Sequence, residues 1–212
     1  MAIEGLLGKK LGMLQRFNQD GEVQGCTVVE AGPCLVTQIK TVATDGYDAV
    51  QLGYGTIKEA KVNRPMRGHF KASGGQFKHV REFHVDDVGA WKVGQRVGAD
   101  LFQPGDRVDV TAVSKGRGFQ GGVKRHGFHG GPKTHGQSDR HRAPGSVGST
   151  TTPGRVLKGL RMAGHMGDRQ ITVRNLLVVE SNAARGILYL NGSVPGASNA
   201  LVRIRRAKTG QG

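Results

Sequence analysis

The sequence holds few cysteines and no long apolar run, and each shortage excludes a class of protein. Its two cysteines, Cys26 and Cys34, are too few for a disulfide framework, and their spacing matches no common zinc-ligand pattern. Apolar clusters such as residues 176–179 are far shorter than the roughly 20 residues that span a bilayer. Lys9 and Lys10 interrupt the N-terminal stretch where a secretory signal peptide is apolar. We therefore expect a cytoplasmic protein with reduced cysteines and no membrane segment.

Acidic and apolar residues are also scarce. The 16 Asp and Glu face 31 Lys and Arg, which gives a net charge of +15, and the pI is near 10.4. Proteins this basic usually bind a polyanion, because their surface potential attracts phosphate over long distances. Apolar residues make up 36% of the chain, which is below the roughly 45–50% of globular domains, and its 35 glycines are about twice the usual ~7% share. Part of the chain is therefore expected to lack a hydrophobic core.

That part is the segment of residues 115–169, which holds eleven Lys and Arg but only two acidic residues, Asp139 and Asp168. Its net charge of +9 leaves +6 for the other 157 residues. Its nine Val, Leu, Met and Phe side chains are too few to offset the conformational entropy lost in ordering 55 residues. The segment shows no strand or convincing helix pattern, so we predict neither here and expect it to be disordered when free or ordered by a partner. Its glycines allow the backbone to approach phosphate and ribose closely.

The rest of the chain has the pattern of short β-strands. Residues 21–31 and 33–42 are rich in Val, Thr and Ile and are separated by Gly32-Pro33, which predicts a β-hairpin. Residues 56–84 show no clean period and are interpreted as an inserted, partly irregular basic subdomain. The strand spacing of about ten residues favours an antiparallel barrel or sandwich over βαβ units. Further strand patterns occur at residues 46–54, 107–113, 171–180, 186–191 and 200–204.

A Gly-x-Gly-x-x-Gly pattern at Gly116, Gly118 and Gly121 is typical of dinucleotide-binding loops when a helix follows it. Here the sequence GVKRHGFHGGPKTHG follows, with glycines and a proline where the helix must be. We therefore interpret the match as a consequence of composition. The chain also lacks a phosphate-binding Gly-x-x-x-x-Gly-Lys-Ser/Thr motif, and the segment lacks a carboxylate pair for acid-base catalysis.

The histidines of the segment do not predict a metal site. His126, His129, His135 and His141 are spaced by three, six and six residues and have no cysteine or carboxylate cluster to complete a ligand set. Contacts with phosphate and ribose, or simple solvation, explain these histidines better. With only Phe119 and Phe128 as aromatics, the segment has no platform for stacking single-stranded bases, and no recognition helix for DNA is evident. This pattern favours recognition of a large folded RNA by shape and backbone, without a cofactor or metal.

Two other functions remain open at this point. A nucleotide-dependent or RNA-modifying enzyme would require a saturable small-molecule site at residues 116–121. An RNA chaperone would bind transiently through a disordered segment and would leave no discrete footprint on any RNA.

Four stretches carry a family resemblance that runs in order along essentially the whole chain. They are GLLGKKLGM (Gly5 to Met13), FQPGDRVDVTAVSKGRGFQGGVKR (Phe102 to Arg125), APGSVGSTTTPGRVLKGLRMAGHMGD (Ala143 to Asp168) and NGSVPGA (Asn191 to Ala197). Each is similar to the corresponding part of the universal large-subunit ribosomal protein three family, in its bacterial form.

The resemblance implies a mainly β fold, namely a six-stranded translation-protein-type antiparallel β-barrel with a small inserted subdomain and a long, irregular, basic Gly-rich loop extension. The barrel would comprise residues 1–55, 85–113 and 170–212, the inserted subdomain 56–84, and the RNA-penetrating extension 114–169. The implied function is that of a structural constituent of the large ribosomal subunit, not an enzyme. Such a protein binds large-subunit ribosomal RNA directly, helps nucleate assembly, and sends its extension toward the peptidyl transferase centre.

The implied partners are large-subunit ribosomal RNA and neighbouring large-subunit ribosomal proteins, with no membrane, cofactor or small-molecule substrate, and the implied location is the cytoplasmic ribosome. The expected RNA-binding residues are Lys9, Lys10, Lys115, Arg117, Phe119, Lys124, Arg125, His126, His129, Lys133, His135, Arg140, His141, Arg142, Arg155, Lys158, Arg161, His165 and Arg169. The expected inward end comprises Gly145, Ser146, Val147, Gly148, Ser149, Thr150, Thr151, Thr152 and Pro153. Ser149-Thr150-Thr151 stands where some members carry a methylated glutamine run, so the resemblance does not extend to that modification.

Overall fold

A computed structural model describes residues 3–18 and 20–207 of the chain. With 40% of residues in strands and 11% in helices, the fold is mainly β. The strands are β1 (Gly5–Phe17), β2 (Val23–Ala31), β3 (Cys34–Lys40), β4 (Ala49–Thr56), β5 (Phe77–His84), β6 (Arg96–Val97), β7 (Arg107–Val113), β8 (Phe119–Gln120), β9 (Gly164–His165), β10 (Gln170–Asn182), β11 (Ile187–Asn191) and β12 (Leu201–Arg206). The short helices are α1 (Val42–Asp45), α2 (Arg64–Phe70) and α3 (Gly122–His126).

Six strands close an antiparallel barrel in the order β1-β12-β7-β10-β11-β2, which confirms the predicted fold class. The alternation of apolar and polar residues in RVDVTAV explains β7, whose Val108, Val110 and Ala112 are buried. Val202 and Ile204 of β12 are buried in the same alternating way. Strands of this period present one face to a shared interior, which is why the barrel has a continuous core.

A second sheet, with strand order β5-β4-β3-β6, packs its apolar residues into the same core. The predicted hairpin at Gly32-Pro33 is therefore wrong, because β2 lies in the barrel whereas β3 pairs with β4 and β6 in the second sheet. Residues 34–55, which were expected to belong to the barrel, lie largely in this sheet as well. Both ends of the predicted barrel range, residues 1–2 and 208–212, lie outside the described residues.

Residues 56–84 are only partly the separate insertion that was expected. Asn63 caps α2 through its side-chain oxygen, which accepts a hydrogen bond from the Met66 amide at 3.1 Å. Phe70 of that helix packs edge-on against Phe77 with ring centroids 5.7 Å apart, and together with Val62 they form a small second core. Phe77 also begins β5, which pairs along β4, so the last eight residues of this range, 77–84, are part of the four-stranded sheet.

The fold divides into two compact units, the second of which comprises residues 114–169 and is called the extension below. The prediction that this segment contains no strand or helix is wrong, since it contains α3 and the β8-β9 pair. It has very little interior, because Gly122 is its one buried residue. Among the described residues, no helix is long and apolar enough to cross a membrane.

Candidate nucleic-acid interface

The extension begins with two antiparallel arms, residues 114–120 and 164–169, which we call the neck. The Ser114 amide donates to the Arg169 carbonyl at 2.9 Å, the Arg117 amide to the Met166 carbonyl at 2.8 Å, and the Met166 amide to the Gly118 carbonyl at 3.0 Å. Phe119 pairs with His165 across β8 and β9, with ring centroids 6.0 Å apart. The neck therefore brings together five of the predicted contact residues, namely Lys115, Arg117, Phe119, His165 and Arg169.

Helix α3 follows the neck and carries three predicted contact residues with different surroundings. Arg125 donates through Nη1 to the Met162 carbonyl at 2.7 Å, and His126 Nε2 lies 3.0 Å from the same oxygen. These bonds tie α3 to the returning chain, so Arg125 and His126 position the backbone as well as supplying polar groups. Lys124, by contrast, is exposed.

Hydrogen bonds between its two ends hold the loop of residues 129–142. The Gly131 amide donates to the His141 carbonyl at 3.0 Å, and the Nδ1 of His141 lies 2.9 Å from the Pro132 carbonyl. His141 is therefore engaged within the loop and helps to shape it. The other predicted contacts on this loop are exposed: His129, Lys133, His135, Arg140 and Arg142.

The outer part of the extension is a continuous exposed stretch, because every residue from 144 to 163 is exposed. It contains the predicted inward end, residues 145–153, where the Ser146 hydroxyl donates to the Gly148 carbonyl at 2.8 Å. Arg155, Lys158 and Arg161 lie in the same stretch. Its large apolar side chains, Val147, Val156, Leu157, Leu160 and Met162, are exposed too.

The charge of the extension is not neutralised within the protein. All of residues 114–169 are described, and none of their eleven Lys and Arg side chains forms one of the four salt bridges found among residues 3–18 and 20–207. Only Arg125 among these eleven donates a side-chain hydrogen bond to the chain. Ten cationic side chains are thus available to an external anion.

The two predicted contacts on β1 have different surroundings. The Lys10 ammonium donates to the Val194 carbonyl at 2.6 Å and to the Gly196 carbonyl at 3.3 Å, which binds β1 to the loop before β12. Lys9 is half-buried and lines a groove together with Lys78, His79 and Arg96. Lys10 therefore joins β1 to a loop of the barrel unit, whereas Lys9 lies in a groove that an external partner could enter.

A group of arginines on β12 was missed by the reasoning from sequence. Arg203, Arg205 and Arg206 line a groove together with Glu82 and other acidic residues. Arg203 donates through Nη2 to the Glu82 carbonyl at 2.6 Å and lies over the Phe83 ring, 4.7 Å from its centroid. Burial, with a smaller contribution from Arg205, lowers the pKa of Arg203. The signal in the sequence was the alternation in LVRIRR, which places Arg203 and Arg205 on one face of the strand.

Gly116 and Gly118 of the glycine pattern lie in the neck, and Gly121 directly precedes α3. Arg117 and Gly118 are hydrogen-bonded to Met166, and the helix that follows, α3, has five residues. A dinucleotide-binding unit instead places a full helix after its glycines, with its N-terminus toward the pyrophosphate. In the part of the chain that the structure describes, no three His, Cys, Asp or Glu side chains are grouped as metal ligands.

A closed barrel joined to a basic unit that has almost no interior is typical of the structural proteins that build ribonucleoprotein particles. A family model described as ribosomal protein L3 matches residues 69–186, which is more than half of the chain. The chain therefore belongs to the ribosomal protein L3 family.

Curated relatives named large ribosomal subunit protein uL3 match nearly the full chain. The protein of Herpetosiphon aurantiacus is 56% identical over 205 residues, which cover 97% of each chain. That of Roseiflexus sp. is 56% identical over 208 residues, covering 98% of this chain and 99% of the relative. That of Thermomicrobium roseum is 58% identical over 205 residues, covering 97% and 95%. The chain is a structural constituent of the large ribosomal subunit.

Proposed function

We propose that this protein binds large-subunit ribosomal RNA directly through its extension, helps to nucleate subunit assembly, and directs residues 145–153 toward the peptidyl transferase centre. The observation that supports this proposal most strongly is the set of ten cationic side chains in the extension without an intramolecular hydrogen bond or salt bridge. Lysine and arginine neutralise phosphates and release bound counterions, which supplies affinity without reading base sequence.

The near absence of burial in the extension supports an RNA partner. A continuous exposed stretch from residue 144 to 163 has little reason to keep one conformation in water, because ordering each residue costs about 1–2 kcal/mol in backbone entropy. Contacts with folded RNA would offset that cost, and its glycines permit close approach to ribose and phosphate. We therefore expect the outer stretch to order as the RNA folds around it, which is a property suited to an early assembly protein.

The barrel fixes where the extension starts and ends. Val113, the last residue of β7, is the cross-strand partner of Gln170, the first residue of β10. The two points at which the chain leaves and re-enters the barrel are therefore held side by side by this ladder. Any effect on peptide-bond formation would follow from the position of the RNA, while neighbouring ribosomal proteins would contact the remaining surface of the barrel unit.

The salt dependence of RNA binding tests this proposal. Four cations of the extension have no intramolecular side-chain partner: Lys124, Lys133, Arg140 and Arg142. Replacing all four with alanine should leave the hydrogen bonds within the extension intact. The phosphates that these four side chains neutralise would then keep their bound counterions. The slope of log K against log salt for large-subunit ribosomal RNA should become shallower by roughly 0.7–0.9 for each phosphate that the variant no longer neutralises.

A charge-preserving variant is the matched control. The substitutions Lys124→Arg, Lys133→Arg, Arg140→Lys and Arg142→Lys alter the same side chains but keep four positive charges, so the slope should remain that of the native protein. An alanine variant with an unchanged slope would show that these side chains do not contact phosphate.

A further inference from the structure

The β1-β2 hairpin continues past the barrel as a two-stranded ribbon, formed by residues 11–17 and 23–25. Strand β12 pairs with β1 only from Gly5 to Lys9, and β11 pairs with β2 only from Cys26 to Glu30. Beyond those residues the ladder pairs of the described chain join the two strands of the ribbon only to each other, ending at Phe17 and Val23. The Gly192 amide still donates to the Gly25 carbonyl at 2.8 Å, at the base of the ribbon. A two-stranded ribbon alone in water has marginal stability, so this one depends on the barrel or on a partner.

One face of the ribbon exposes large apolar side chains. Met13 and Phe17 lie on the same face because they are four residues apart in one strand, and Val23 is the cross-strand partner of Phe17. Their exposed fractions are 56%, 72% and 54%. Gln15 lies between Met13 and Phe17 in the strand, and its cross-strand partner is Gly25. The space above Gly25 is open, since an added Cβ would meet no atom within 4 Å. The result is an open face with exposed apolar side chains, of the kind that marks a contact surface.

The ribbon and its turn, residues 11–25, carry a net charge opposite in sign to that of the whole protein. Their one cation is Arg16, against Asp20 and Glu22. Arg16 is already engaged, since it forms a salt bridge with Glu180 and its guanidinium lies 4.6 Å from the centroid of the Tyr189 ring.

The two carboxylates at the end of the ribbon are held by one side chain. Asn18 donates through Nδ2 to Asp20 at 3.4 Å and to Glu22 at 3.2 Å. In the described part of the chain, no Lys, Arg or His forms a salt bridge with either carboxylate. The turn is therefore a small acidic site beside the apolar face, on a protein whose net charge is +15.

We infer that the ribbon surface, defined by Met13, Phe17, Val23, Asp20 and Glu22, docks a basic neighbouring protein of the large subunit and does not contact RNA. This inference rests on the proposed function, because the neighbour is met in the assembled subunit. Uncompensated carboxylates repel phosphate, whereas an apolar face with an acidic rim complements a protein surface with apolar side chains and Lys or Arg around them. Burying Phe17 and Met13 would also stabilise the ribbon.

Photo-cross-linking inside purified large subunits tests the inference. Phe17 is replaced by the photoreactive residue p-benzoylphenylalanine in the full chain, the protein is incorporated into subunits, and the irradiated adducts are analysed as protein or RNA. Leu157, an exposed apolar residue of the extension, is replaced in the same way as the matched position. We expect the Phe17 probe to give one discrete adduct with a ribosomal protein of basic sequence and the Leu157 probe to give an RNA adduct.

Each other outcome is decisive. The docking inference would be overturned if the Phe17 probe forms an adduct with RNA or with a second copy of this chain, or if it forms no adduct. In each of these cases a Leu157 adduct with RNA would still uphold the proposed function. A Leu157 probe that forms no RNA adduct would count against the proposed function, whatever the Phe17 probe gives.

A charge reversal tests the acidic rim separately. Glu22→Lys in the probe-bearing protein should lower the yield of the Phe17 protein adduct at least ~5-fold, because a like charge then faces the basic neighbour. Glu59→Lys reverses another exposed glutamate outside the ribbon and should leave the yield unchanged. Equal yields for the two variants would remove the acidic turn from the docking surface.

Discussion

Lys124 and Arg125 are adjacent cations with different roles. Both were expected to contact RNA from their charge, but Arg125 is bonded to the carbonyl of Met162, which is 37 residues further along the chain. Lys10 is likewise bonded to the carbonyls of Val194 and Gly196. The sequence shows where positive charges occur, but it does not show which of them a distant carbonyl engages, because that depends on how the chain crosses itself.

Gly167 holds the neck closed and offers a test at the level of one residue. Its φ of +75° disfavours any side chain, and an added Cβ would collide with the carbonyl of Lys115. Gly167→Ala should therefore open the neck, at a cost of ~1 kcal/mol or more. Amide hydrogen exchange at Arg117 and Met166, which are bonded across the neck, should become faster.

The matched control for this variant is Gly121→Ala. Gly121 has an ordinary φ of -71° and nothing within 4 Å of an added Cβ. Exchange at Arg117 and Met166 should stay slow in this variant. Slow exchange in Gly167→Ala as well would show that the neck does not depend on this glycine.

Cys34 gives a prediction that depends on pH. Burial raises the pKa of its thiol from 9.0 to about 12, and the hydrogen bond to the Leu7 carbonyl does not change that direction. The native state thus holds the proton more tightly than the unfolded chain, so this contribution to stability is complete below pH 9 and is lost as the pH rises toward 12. Iodoacetamide at pH 8 should leave Cys34 unmodified in the native protein and alkylate it in denaturant. Rapid alkylation of the native protein would contradict this assignment.

At the level of elements, local patterns predicted strands better than they predicted sheets. The alternation in residues 107–113 gave the correct strand β7, since a period of two needs only neighbouring residues. The hairpin at Gly32-Pro33 was wrong because turn residues between two apolar strands do not specify whether those strands pair. Strand β1 pairs with β12 as well as with β2, and Gly5 lies opposite Arg205. No short-range pattern in the sequence indicates a pairing between strands so far apart in the chain.

The extension should be dispensable for folding of the barrel unit. Every buried hydrophobic residue found in the described chain lies outside residues 114–169. Replacing residues 120–164 with Asn-Gly joins Phe119 to His165, which are already cross-strand partners, by a two-residue hairpin turn. Thermal unfolding followed by far-ultraviolet circular dichroism should remain one cooperative transition with a midpoint within a few degrees of the native value. Loss of that transition would contradict the division into two units.

At the level of the whole molecule, core and charge are separated. The barrel unit holds the buried side chains, while the 55 residues 115–169 hold +9 of the net charge of +15. Composition alone predicted this separation, because a segment so rich in Gly, Lys and Arg has too few apolar side chains for a core. The internal contacts at Met162, Met166 and His141 were not predicted, since they depend on hydrogen bonds to the backbone carbonyls of these residues, which leave no compositional signal.

Chemical footprinting of large-subunit ribosomal RNA tests the central claim most directly. The RNA is probed alone, with the native protein, and with the variant in which Asn-Gly replaces residues 120–164, at a salt concentration that suppresses non-specific binding. We predict a discrete set of protected nucleotides with the native protein and a clearly smaller set with the variant. Diffuse protection, or an identical footprint for both proteins, would contradict an RNA-binding role for the extension.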